Sequence, residues 1–69
     1  MANDQFAAIY DDLMELLQKA ENAATPAERD RHLLEARAAH KDMLAHKEHF
    51  SEAQLKRVSR RLQHLATAK

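Results

Sequence analysis

The 69-residue chain has no cysteine and no glycine, and its 11 basic and 11 acidic side chains cancel. A chain this short makes one domain, whose core leaves only about 3–5 kcal/mol of stability without a staple or a partner. The missing cysteines exclude a disulfide framework, thiolate chemistry and cysteine-based zinc sites, and the missing glycines exclude phosphate-cradling loops.

No apolar run approaches the roughly 18 residues of a membrane span. The polar start Met1-Ala2-Asn3-Asp4 is unlike a signal peptide. The reading is therefore a cytoplasmic protein with a complete small reading frame. The preference for Ala and Arg over Lys and Ile points to a GC-rich bacterial or phage genome.

The first predicted helix covers about residues 4–24, with Asn3 or Asp4 as its cap. Phe6, Ile9, Leu13, Leu16, Ala20 and Ala23 recur at alternating steps of three and four, and Tyr10, Leu17 and Ala24 widen this seam into a bundle stripe. At about 100° per residue, Asp4, Asp11, Asp12 and Glu15 project opposite the stripe. With Asp11, Asp12 and Glu15 at its centre, this outer face is a candidate acidic surface for a partner.

Thr25-Pro26-Ala27-Glu28 has the pattern of a capping box. The threonine hydroxyl accepts from the backbone N–H three residues on, the glutamate reaches back to the threonine N–H, and Pro26 stands where a missing N–H costs nothing. The second helix follows, about residues 26–48, with an inner face of Leu33, Ala36, His40, Met43 and Leu44. This stripe is thinner than that of its neighbours, and the charges around it balance in ordinary surface pairs such as Arg37 with Asp42. Leu34, Ala38 and Ala45 form a second, weaker stripe. With Met14 of the first helix they are the candidate self-association surface, so the bundle is read as one that can dimerise.

Ser51-Glu52-Ala53-Gln54 is a second capping box, and Phe50 with Leu55 occupies the positions of a hydrophobic staple. The third helix, about residues 52–68, places Leu55, Val58, Leu62 and Leu65 on its inner seam. Lys56, Arg57, Arg60, Arg61 and His64 fall within an arc of about 140° on the opposite side, uninterrupted by any acid of the same helix. Residues 1–24 hold five acids and one base, and residues 51–69 hold one acid and five bases, so the neutral total hides −4 at one end and +4 at the other.

Three helices of similar length joined by short connections predict an all-α, up-down-up three-helix bundle, a single domain made of an antiparallel hairpin and a third helix. His46 and His49, three positions apart, could share a transition metal only with a third ligand, for which His32 and Glu52 are the sequence candidates. The expectation is no metal and no cofactor. His40, on the apolar face, is expected to hydrogen-bond a neighbour such as Tyr10. Asp12 with Glu15 lies on an outer face, Ser51 and Ser59 lack acid and base partners, and no Glu-x-x-His pair is present, so no enzyme or small-molecule substrate is expected. These patterns predict a non-enzymatic helical protein–protein interaction module: an adaptor, inhibitor or regulatory subunit. The alternative is a nucleic-acid-binding protein that uses the cationic face Lys56, Arg57, Arg60, Arg61 and His64.

Overall fold

The computed structural model describes residues 4–67, together with the side chains of residues 5–67. Asn3, residue 68 and the side chain of Asp4 therefore lie outside the described residues. Three helices, α1 (Asp4–Glu21), α2 (Pro26–Ala45) and α3 (Glu52–Thr67), form an up-down-up bundle with extents of 38 × 19 × 16 Å. At the N-terminal part of α1, Phe6 packs on His46, His49 and Phe50 of the α2–α3 connection and lines one cleft with Gln54 at the start of α3. At its other end Glu21 meets Arg61 of α3. Together these contacts set α1 and α3 parallel and α2 antiparallel to both.

Both interior corners are built by local hydrogen bonds, but to different standards. At Ser51 the capping box is reciprocal: Gln54 N–H donates to Ser51 Oγ at 3.1 Å and Ser51 N–H donates to Gln54 Oε1 at 3.0 Å. At Thr25 it is one-sided. Glu28 N–H donates to Thr25 Oγ1 at 3.2 Å, but the glutamate carboxylate receives the threonine hydroxyl at 3.5 Å instead of reaching the Thr25 N–H. The return bond expected from the sequence is not made there.

Two helices stop sooner than their apolar periodicity predicts. Helix α1 ends at Glu21, and Ala23 N–H turns back to Ala20 O at 3.3 Å, a tightened last turn that leaves Ala24 outside the helix. Helix α2 ends at Ala45, beyond which Lys47–His49 form a single 3₁₀ turn closed by Phe50 N–H to Lys47 O at 3.1 Å. His46 caps this end twice, with its backbone N–H on Met43 O at 3.1 Å and its ring Nδ1 on Asp42 O at 3.2 Å. Carbonyls that the helix terminus leaves orphaned are satisfied in this way.

The core takes three residues from each helix: Leu13, Leu17 and Ala20; Leu33, Ala36 and Met43; Val58, Leu62 and Leu65. Ile9, Tyr10, Leu16, Phe50 and Leu55 pack around it half-buried. The expected inner face of α2 needs one correction, because Leu44 is 47% exposed. Leu33, Ala36, His40 and Met43 already follow the three-four seam, and Leu44 stands about 100° around the helix from Met43. His40 is half-buried on that seam, and burial lowers its pKa below the ordinary 6.5. Among the described residues it makes no hydrogen bond to Tyr10, so the partner expected for it is not supplied.

Candidate interaction faces

Helix α3 carries its cations on the side away from its buried seam, where Ala53, Lys56, Arg57, Arg60 and Arg61 line an open groove of about 330 Å³. Residues three, four, seven and eight positions apart share one helix face, so a continuous stripe follows directly from the spacing. Lys56, Arg57, Arg60 and His64 are exposed. Arg61 is half-buried, and its guanidinium donates to Glu21 of α1 at 3.0 Å. One cation of the expected ridge is therefore neutralised by a carboxylate 40 positions away. Among the described residues Lys56, Arg57 and Arg60 make no such ion pair.

The acidic face of α1 is intact. Asp11, Asp12 and Glu15 are all exposed, Asp11 and Glu15 on the side opposite Leu13, Leu17 and Ala20 and Asp12 on its flank. On α2, Leu34 is 72% exposed and Ala38 and Ala45 are also exposed. Met14, of the same candidate surface, is half-buried against the common core.

The histidine pair belongs to an aromatic cluster. His49 stacks on Phe6 with ring centroids 4.0 Å apart and planes 8° from parallel. His46 tilts against the same ring at 5.5 Å, and Phe50 meets it edge-on at 6.2 Å. The two imidazole centroids are 6.3 Å apart. His32 lies 14 positions earlier on α2, about 21 Å along the helix at 1.5 Å per residue. Among the described residues, no three His, Cys, Asp or Glu side chains are placed to hold one metal ion. What the cluster does hold is the end of the bundle: Phe6, Tyr10 and Phe50, the only aromatic residues of the chain, line one cleft of about 200 Å³ with His49 and Gln54. Neither the Phe6–His49 stack nor the Glu21–Arg61 pair has a local sequence signal, because each joins elements far apart in the chain.

Comparison with known proteins finds no matching family model, no similar curated protein and no similar solved structure. No helix among the described residues is long and apolar enough to cross a membrane.

Proposed function

We propose that this chain is a small non-enzymatic interaction module, an adaptor, inhibitor or regulatory subunit that docks an acidic protein surface on the outer face of α3. The observation that carries this reading is the row of unpaired cations Lys56, Arg57 and Arg60 along the α3 groove. Charge complementarity of this kind raises encounter rate and selects partners even where it adds little affinity. A phosphate backbone is the competing occupant of the same groove. Pairing of Arg61 with Glu21 weakens that reading, because it leaves three strong cations on the ridge and no Phe, Tyr or Trp is there to stack on bases.

The test is a variant carrying Lys56→Glu, Arg57→Glu and Arg60→Glu, with Arg61 kept because it holds α3 to α1. The expected result is a specific complex from the native cell that survives nuclease and is lost in the variant, with no measurable binding of short DNA or RNA duplexes at about 50 mM salt. Duplex binding by the wild type that weakens about twentyfold between about 50 and 150 mM salt, as three phosphate contacts require, would replace the protein reading with the nucleic-acid one.

A further inference from the structure

The outer faces of α1 and α3 share one pattern with opposite sign. Ala8, Asp11, Asp12 and Glu15 on α1 have the same relative spacing as Ala53, Lys56, Arg57 and Arg60 on α3, and all eight residues are exposed. Laid side by side in parallel register, the two helices set Asp11 against Lys56 and Glu15 against Arg60 along one seam. Asp12 and Arg57 flank that seam, and the two alanines allow close approach at its start. Within one chain the match cannot be used. Each face lies opposite its own helix's buried residues and so points away from the shared core; the ionic contact that α1 and α3 do make is Glu21 with Arg61.

We propose that the occupant of the α3 groove is the outer face of α1 from a second copy of this chain. The proposal rests on the reading of that groove as a protein-docking face and names its partner. The contact is heterologous: a copy that offers its acidic face still has a free basic one, so association runs head to tail and grows with concentration instead of closing at a dimer. It is also weak. Exposed ion pairs add little each, and salt screens them, so the assembly belongs to high protein concentration and low ionic strength.

Sedimentation of the full chain tests this at about 20 mM and about 500 mM salt, between which the screening length falls from about 20 Å to about 4 Å. Three proteins are needed: the wild type, the α3 reversal described above, and an α1 reversal carrying Asp11→Lys, Asp12→Lys and Glu15→Lys. The wild type should sediment as species larger than a monomer at low salt and as a monomer at high salt. Each reversal alone should stay monomeric, because both of its faces then carry one sign. Their equimolar mixture should associate again, and circular dichroism of each variant checks that it is folded. A wild type that is monomeric at low salt overturns the proposal, and if it still captures a nuclease-resistant partner the docking reading stands without it. Association that persists in both single reversals overturns it as well and moves the contact to another face, such as that of Leu34 and Ala38 on α2.

Discussion

The two ends of the bundle are closed by different physics. Where α2 turns into α3, the Phe6–His49 stack, the edge-on Phe50 and the reciprocal Ser51–Gln54 box act at short range, through contacts that salt does not screen. Where α1 turns into α2, a one-sided box at Thr25 and the Glu21–Arg61 pair supplement the buried apolar packing of Ala20, Leu33 and Leu65. The added contacts at the aromatic end should therefore hold at any salt concentration, and the ion pair at the other end should respond to it.

The sharpest way to break this contrast is Phe6→Ala, which removes the ring that His46, His49 and Phe50 all pack against. It should cost about 2 kcal/mol, since the site is half-buried and the aromatic contacts add to the area lost. Chemical denaturation of wild type and variant measures this directly. A loss below that of the cap variants would mean that the stack is ornamental.

Next come the two caps. Ser51→Ala removes the acceptor for Gln54 N–H and unseats the glutamine that returns the bond, so about 1 kcal/mol is expected, or a fall in Tm of about 4–8 °C. Thr25→Ala removes a single bond at 3.2 Å and should cost about half as much. Thermal melts followed by circular dichroism compare the two, and equal shifts would show that the reciprocal bond at Ser51 adds nothing.

Glu21→Gln should cost less still, about 0.3 kcal/mol at low ionic strength, because the carboxylate is exposed although its Arg61 partner is half-buried. The difference from wild type should vanish in high salt. Phe6→Ala should keep its full effect there, and measuring both variants at two salt concentrations separates the ends.

The smallest effect is the pH response of His40. Burial disfavours its charged form and lowers the folded-state pKa below the unfolded value near 6.5. As pH falls through 6.5 the unfolded chain binds a proton at this site that the folded chain resists, so stability falls. It rises again as pH is raised, and levels off above 6.5 once both states are neutral there. His40→Gln should flatten the dependence of denaturation midpoints on pH between about 5 and 7. An unchanged slope would assign the dependence to other groups.

The corners were legible because a capping box is a local object: the residue that accepts and the residue that reaches back are three positions apart, whatever the rest of the chain does. The length of each helix was less so. Periodicity carried α1 to Ala24 and α2 past His46, yet the last turns tighten, and the ring of His46 takes a carbonyl that a continued helix would have used. The candidate faces were legible in composition and only partly in state. Lys56, Arg57 and Arg60 stand exposed as their spacing implies, whereas Arg61, on the same stripe, leans to the edge where α1 passes and is drawn into the Glu21 pair.

What the sequence by itself determined was everything that depends on angle within one helix. Three segments, the corners between them, a buried seam on each, and the opposite charges of the α1 and α3 outer faces all follow from 3.6 residues per turn. Only the tertiary structure decided how each helix is rotated against its neighbours, and so which of two adjacent apolar residues is buried. Met43 is fully buried while Leu44 beside it, expected on the same inner face, is 47% exposed. The same rotation brings Arg61 to Glu21 and His49 to Phe6. No local pattern encodes these meetings, because they depend on the fit of three surfaces at once, and packing density, not periodicity, selects that fit.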